Sequence, residues 1–197
     1  YRWAVDMDLA KFFDTVNHSR LIRKLSLKIK DGRVISLIHK MLRSGVQING
    51  ETKPTEIGLM QGGPLSPLLA NIYLDELDKE LEKRGHRFAR YADDLICICK
   101  SRRAAERTLA SLTRFVQDKM LLKVNQEKSH VSLVTSSRTK FLGYGFYFSR
   151  AKGEVRLTIH KKSKQKLKDT IRQLLTRNPR TSIENVKQLL AQKLRGW

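Results

Sequence analysis

Three aspartates are the residues of this chain whose type and spacing best suit metal binding and catalysis. Asp93 and Asp94 stand together in the tetrapeptide 91–94, between two apolar runs, and Asp8 ends a third apolar run far upstream. Carboxylate oxygens are the ligands that Mg²⁺ prefers, and a pair of such ions can activate an attacking hydroxyl and stabilise a departing pyrophosphate. The aspartates therefore predict a two-metal site for nucleotidyl transfer, with Asp93 the firmer ligand of the adjacent pair. The alternative is a solvated hairpin tip, since aspartate is common in turns.

The flanking residues predict how these carboxylates are positioned. Segments 86–91 and 95–99 are rich in aromatic and β-branched residues, so they read as two strands joined by a tight turn that carries the aspartates. Residues 3–8 alternate with a period of two, which sends Asp6 and Asp8 to one face of a further strand. Asp8 is then expected beside the hairpin turn.

Five blocks in a fixed order carry a family resemblance. They are residues 8–14, 58–75, 91–94, 122–129 and 141–144, and the second contains the diagnostic run Gln-Gly-Gly-Pro-Leu-Ser-Pro-Leu-Leu-Ala-Asn. Over about residues 2–148 the chain closely resembles the reverse transcriptase of bacterial group II introns, the intron-encoded maturases. The resemblance implies an RNA-directed DNA polymerase that uses dNTPs and two Mg²⁺ ions. It also implies a maturase that binds group II intron RNA and assists splicing.

The glycine-rich block is predicted to contact the substrate. Gly62 and Gly63 lack side chains at successive positions, so a nucleic-acid backbone or base pair can approach the main chain closely. The resemblance implies that Gln61 contacts the incoming nucleotide or the nascent base pair. The alternative for Gln61 is a loop amide that caps a nearby group.

Three further substrate or catalytic roles come from the resemblance. Phe13, five residues after Asp8, would be a steric gate against a 2′-OH, the group that distinguishes RNA from DNA building blocks; the alternative is a core phenylalanine. Lys11 would pair with triphosphate oxygens, or is an ordinary exposed lysine. Lys128 would protonate the departing pyrophosphate as a general acid.

The net charge of +21 is concentrated in the second half of the chain. Residues 1–99 hold 16 lysines and arginines against 13 acidic residues, whereas residues 100–197 hold 24 against 6. Such an excess favours phosphate binding through counterion release, although a solvated lysine-rich surface is the alternative. By resemblance, these basic residues would hold an RNA template/DNA primer duplex and intron RNA.

The order of elements predicts an α+β polymerase palm at residues 1–155, with helices backing an antiparallel sheet and the acidic site on its other face. A helical pair is expected within residues 19–44, a long helix from an N-cap at Ser66 to Gly85, and another helix after Ser101. Residues 141–146 predict a strand that lies against the primer or forms a core hairpin. A basic α-helical thumb or maturase segment would begin at 156–197.

Two amphipathic helices are predicted in this last segment, and the second would begin with a capping box from Thr181 to Glu184. Cys97 and Cys99 are expected to be reduced thiols, because neighbours two apart in a strand have poor geometry for a disulfide. Reduced thiols suit an intracellular protein, here a bacterial cytoplasmic intron ribonucleoprotein. No run approaches the roughly 18 apolar residues of a membrane span, so no membrane partner is expected.

Tyr1 lies only seven residues before Asp8. The upstream fingers of the family are therefore expected to be missing, the sequence is expected to be a fragment, and its activity without them is open, as is its oligomeric state. An alternative function is an RNA-binding splicing cofactor without polymerase activity. A third is another palm protein, such as a retron-type enzyme or a nucleotide cyclase.

Overall fold

The computed structural model describes residues 1–48, 51–53, 57–176 and 182–197. They divide into two compact units, Tyr1–Val134 and Thr135–Trp197. The first unit combines a four-stranded sheet with helices, and the second combines a hairpin with two helices. The predicted α+β class is confirmed. The predicted functional boundary between residues 155 and 156 stays a prediction.

The first unit contains the strands β1 (Trp3–Met7), β2 (Val46–Ile48), β3 (Glu51–Lys53), β4 (Arg87–Tyr91), β5 (Asp94–Cys99) and β6 (His130–Leu133). Its helices are α1 (Phe12–Thr15), α2 (His18–Lys28), α3 (Gly32–Arg43), α4 (Ser66–Lys83) and α5 (Arg102–Arg114), which continues as a π-helical turn, Phe115–Lys119. The second unit contains β7 (Tyr144–Ser149), β8 (Glu154–Ile159), α6 (Lys161–Leu175) and α7 (Ile183–Arg195).

The main sheet places the end of β1 beside the turn of the β4–β5 hairpin. Its strand order is β4-β5-β1-β6, and all neighbours are antiparallel. Met7 stands opposite Leu95, so the next residue of the chain, Asp8, reaches the level of the hairpin turn. Tyr91 pairs with Asp94, which leaves a loop of two residues between the strands. The predicted hairpin and its neighbouring strand are thus confirmed.

Alternate residues of the two central strands face the helices. Val5 and Met7 of β1 join Cys97 and Cys99 of β5 in the hydrophobic core, which α4 and α5 complete. Both cysteines are free and buried, as predicted. Burial, reinforced by the neighbouring Cys99, raises the pKa of the Cys97 thiol to about 12. Asp6, the polar residue of β1, is left on the opposite face.

The helix-start prediction at Ser66 is wrong by one residue. Leu65 is the N-cap of α4 and makes no side-chain cap, while Ser66 is already helical. The Ser66 hydroxyl instead donates to the Met60 carbonyl at 2.5 Å, because the glycine-rich loop folds back over the start of the helix. The predicted end is confirmed, since Gly85 adopts a φ of 67° directly after the C-cap.

Other local predictions from the sequence are confirmed. The helical pair at 19–44 corresponds to α2 and α3. Ser101 caps α5 by accepting from the Ala104 N–H at 3.2 Å. In α7 the N-cap is Ser182, whose hydroxyl accepts from the Asn185 N–H; Thr181 of the predicted capping box lies outside the described residues. Among the helices in the described ranges, none combines the length and apolar character needed to cross a bilayer.

Candidate active site

The backbone of Asp8 is held by the segment that precedes β6. Its N–H donates to the Ser129 hydroxyl at 3.0 Å, and its carbonyl accepts from the Asn125 N–H at 2.8 Å. Leu9 forms an isolated bridge with Val124 just beyond. A residue anchored on both sides of its peptide has little freedom to move. The Asp8 side chain therefore projects from a rigid support.

Lys128 is brought to Asp8 by the same segment. Its Nζ lies 3.7 Å from Asp8 Oδ2. The Lys128 N–H donates to Asn125 Oδ1 at 3.3 Å, and the Lys128 carbonyl lies 2.8 Å from His130 Nδ1. The Lys128 side chain is 68% exposed, so solvent screens this ion pair and the ammonium can leave Asp8 at little cost.

Asp93 occupies the second position of the β4–β5 turn. The first position is Ala92, with a φ of 53°. Two-residue hairpin turns usually place glycine where the first central φ is positive. Asp93 is thereby carried past the ends of the strands, and Asp94 is the first residue of β5.

One cleft of about 460 Å³ gathers most of the predicted site residues. Six of them line it: Asp8, Lys11, Phe13, Gln61, Asp93 and Lys128. The remaining lining residues are Leu9, Ala10, Phe12 and Asn125. Asp94, Gly62 and Gly63 are not among the lining residues. The fold thus brings together side chains that are up to 120 positions apart in the sequence.

The Asp6 carboxylate interacts electrostatically with the carboxylates of Asp8 and Asp94. The pKa of Asp6 is raised to about 6, chiefly by burial; the carboxylates of Asp94 and Asp8 raise it further, and His130 partly offsets them. Asp6 was not among the predicted site residues. The alternation of residues 3–8, which places Asp6 on the same face as Asp8, could have indicated Asp6 as a site residue.

The donor chemistry fits a hard divalent cation. The carboxylates of Asp8 and Asp93 supply oxygen ligands of the kind that such cations prefer. Among the described residues, no three acidic, histidine or cysteine side chains are gathered into a ready metal cluster. Asp8 and Asp93, which line the same cleft, are the residues placed to hold a cation.

The two phenylalanines that follow Lys11 have different environments. Phe12 is buried in the core, whereas Phe13 is only partly buried. Their rings meet edge to face, with centroids 5.3 Å apart. Lys11 has a left-handed backbone, with φ of 49° and ψ of 45°. Both residues line the cleft, and Phe13 is the more exposed of the two.

The glycine-rich loop has one glycine in a crowded position and one that faces open space. A Cβ on Gly63 would lie 3.0 Å from the Ser66 hydroxyl, so a side chain here would crowd the place where the loop meets α4. A Cβ on Gly62 would meet no atom within 4 Å, although its φ of 86° favours glycine. Gln61 Nε2 lies 3.4 Å from Asp14 Oδ1. The contact of this loop with substrate stays a prediction.

A helix-backed antiparallel sheet with carboxylates beside the turn of its hairpin defines a polymerase palm. The family described as reverse transcriptase (RNA-dependent DNA polymerase) matches residues 1–146. The chain belongs to this family.

Curated relatives support the resemblance to intron-encoded proteins. The chain is 44% identical over 95 residues to the group II intron-encoded protein LtrA of Lactococcus lactis subsp. cremoris, covering 48% of this chain and 16% of that protein. It is 28% identical over 191 residues to protein YkfC of Escherichia coli, covering 79% and 50%. The chain thus spans half or less of these relatives. The predicted resemblance is confirmed.

Solved structures show the same fold at low sequence identity. Apo telomerase from Candida tropicalis matches with a TM-score of 0.63 and 15% identity, covering 98% of this chain and 41% of that one. The telomerase from Candida albicans in complex with a fragment of telomeric RNA matches with a TM-score of 0.58 and 14% identity, covering 98% and 38%. At such identities the likeness concerns the fold alone.

Proposed function

We propose that this chain carries the catalytic palm of an RNA-directed DNA polymerase, which extends a primer 3′ end with dNTPs on an RNA template. The observation that carries the proposal is the single cleft lined by Asp8, Asp93 and Lys128, in a chain of the reverse transcriptase family. These residues come from three separate sequence blocks, and only the fold unites them.

Asp8, Asp93 and Asp94 are the proposed Mg²⁺ ligands. When bound, two Mg²⁺ ions would supply activation of the primer hydroxyl and charge neutralisation of the leaving pyrophosphate. Asp8 presents its carboxylate from an anchored backbone, and Asp93 presents its own from a short turn. Asp6, which interacts electrostatically with Asp8 and Asp94, adds negative charge that favours cation binding.

The other cleft residues are proposed to bind and select the nucleotide. Lys11 and Gln61 would contact the incoming dNTP, with Lys11 as a point charge on phosphate oxygens. The Phe13 ring would exclude a 2′-OH at the sugar. Lys128, exposed and only loosely paired with Asp8, can swing to the leaving oxygen and donate a proton. The open face of Gly62, beside Gly63, leaves room for a base pair to approach the loop.

The basic half of the chain is proposed to bind nucleic acid. Residues 100–197 hold 24 lysines and arginines against 6 acidic residues. No residue of α6 or α7 is fully buried, so their cations are available to phosphates. A maturase role on group II intron RNA, in a bacterial cytoplasmic ribonucleoprotein, is part of the proposal; a relative named as a group II intron-encoded protein supports the link to such introns.

A splicing cofactor without polymerase activity is the second candidate. It is favoured by the same basic excess, which intron RNA could satisfy without a template and primer. The two candidates differ in what they require of the carboxylates: a pure RNA binder does not need Asp8 or Asp93.

Primer extension on an RNA template with Mg²⁺ tests the proposal, comparing wild type with Asp93→Ala. Asp118→Ala is the matched control, because Asp118 is an exposed aspartate on the π-helical turn. Since loss of an outer partner of a metal ligand already costs about 10–100-fold, loss of a ligand should lower extension by at least about 100-fold. Extension should use dNTPs in preference to rNTPs.

Two further measurements separate the candidates. Calorimetric titration with Mn²⁺, without RNA, should show binding that Asp93→Ala weakens and Asp118→Ala does not. RNA binding, measured by fluorescence anisotropy, should be unchanged by either substitution. Undetectable extension and undetectable Mn²⁺ binding, together with tight RNA binding, would instead favour the splicing cofactor.

A further inference from the structure

We propose that Arg90 is a positioning residue for Asp93: its guanidinium ties the β4–β5 turn to α4 and so holds the carboxylate where a metal ion needs it. The inference rests on the proposed function of Asp93 as a metal ligand. Arg90 itself does not line the cleft.

The contacts of Arg90 reach both the helix and the turn. Its Nε donates to Asp78 Oδ1 at 2.7 Å, and its Nη2 donates to the other oxygen of the same carboxylate. Its Nη1 donates to Asn71 Oδ1 at 3.0 Å and to the Ala92 carbonyl at 2.9 Å. The Arg90 side chain is only 10% exposed. One guanidinium thus joins two helical residues to the residue that precedes Asp93.

The sequence places these groups together for simple reasons. Asn71 and Asp78 are seven residues apart in α4, which is about two helical turns, so they share a face. Phe88 and Arg90 alternate with exposed residues along β4, and both are partly buried on the side that meets α4. Only arginine offers a planar fork that binds a carboxylate through two bonds and still donates elsewhere.

The turn needs such a support because its backbone is strained. Ala92 has a φ of 53°, a region that L-residues with a Cβ avoid. A strained conformation persists where surrounding contacts over-determine it. The bond from Arg90 to the Ala92 carbonyl is a contact of this kind. If it is lost, the turn can relax and the carboxylate one residue later is displaced.

This arrangement also links two of the sequence blocks. Asn71 ends the run that begins at Gln61, and Arg90 precedes the block at 91–94. The glycine-rich loop and the β4–β5 turn are therefore both attached to one helix, α4. This shared attachment fixes the position of the loop relative to the turn.

The test compares Arg90→Lys and Asn71→Ala with a matched control, Arg84→Lys. Arg84 also pairs with a carboxylate of α4, Glu80, and donates to Ser111 at 3.1 Å, but it lies at the far end of the helix from the turn. Mn²⁺ affinity is measured by calorimetry well below the unfolding temperature, and primer extension gives kcat and the KM for the RNA–primer duplex.

Arg90→Lys keeps the charge but not the fork, so Mn²⁺ affinity should fall about tenfold, as for other residues that orient a metal ligand. The kcat should fall with it, while the KM for the duplex stays unchanged. Asn71→Ala removes one neutral partner from an exposed position and should weaken Mn²⁺ binding about threefold. Arg84→Lys should change neither quantity.

Arg90 is not a positioning residue if Arg90→Lys and Asn71→Ala both bind Mn²⁺ with wild-type affinity while Asp93→Ala binds it more weakly. That result would leave the proposed function standing. Wild-type Mn²⁺ affinity in Asp93→Ala would instead refute the proposed function. If Arg90→Lys does not fold, Asn71→Ala decides the matter alone, because its side chain lies at the surface and its loss should not unfold α4.

Discussion

Tyr73 allows a test of how much one buried hydrogen bond contributes to the stability of the palm core. It is fully buried in α4, and its hydroxyl donates to the Met120 carbonyl at 2.8 Å. Burial raises the pKa of the Tyr73 phenol, against Arg20 and the Asn17 N–H, which lower it. The hydroxyl therefore remains protonated and serves as the donor. Its ring also meets the Phe12 ring edge to face, with centroids 6.3 Å apart.

The expected cost of Tyr73→Phe follows from these contacts. The substitution keeps the ring and removes one oxygen, so no large cavity forms. Met120 is fully buried, so its carbonyl loses a partner that water cannot easily replace. A buried acceptor left without a donor costs about 1–3 kcal/mol. Phe12 and Phe13 keep their packing, so primer extension below the unfolding temperature should be unchanged.

Urea unfolding at neutral pH measures this loss. Tyr91→Phe is the matched control, since Tyr91 is 66% exposed and its hydroxyl is accessible to water. The control should change the free energy of unfolding by less than about 0.5 kcal/mol. An equally small loss for Tyr73→Phe would refute the reasoning, because it would mean that the Met120 carbonyl finds another donor or was never isolated from solvent.

Two further predictions concern the residues around the cleft. The raised pKa of Asp6, about 6 against an ordinary 3.8, means that its charged form is disfavoured on folding; the penalty is complete above pH 6 and fades as the pH falls towards 4. In EDTA, Asp6→Asn should therefore stabilise the protein at pH 8 by about 1–2 kcal/mol after allowance for partial solvent access, and by less at pH 5. Urea unfolding at the two pH values measures this difference, and an equal gain at both would contradict the prediction. Gly58 has a φ of 92°, and a Cβ there would lie 3.0 Å from the Phe13 carbonyl, so Gly58→Ala should cost about 2 kcal/mol or more in the free energy of unfolding. Gly153→Ala has a similar φ of 65° but open space around it, so thermal melts should show a smaller loss there, and equal losses would mean that the contact with Phe13 is unimportant.

Local patterns in the sequence were sufficient for most of the elements. The period of two in β1, the Ser101 cap of α5 and the glycine after α4 each act over a few residues, so their meaning does not depend on distant contacts. The predicted Ser66 cap is wrong because the Ser66 hydroxyl bonds to the Met60 carbonyl in the preceding loop and not to the start of its own helix. The short strand β6 carries only a weak local signal, and it exists because β1 pairs with it across more than 120 residues.

In the candidate site, too, some features follow from the sequence alone and others depend on contacts between distant residues. From the sequence alone, residue types and block order determined the family, the three aspartates, and the side chains expected around a nucleotide. Only the tertiary structure decided that Lys128 lies beside Asp8, that Phe12 is buried while Phe13 stays partly exposed, and that Arg90 joins the turn to α4. The physical reason is range: propensity and periodicity act between neighbours in the chain, whereas a charge pair, a buried hydrogen bond or a shifted pKa arises between groups that meet only after the strands have paired.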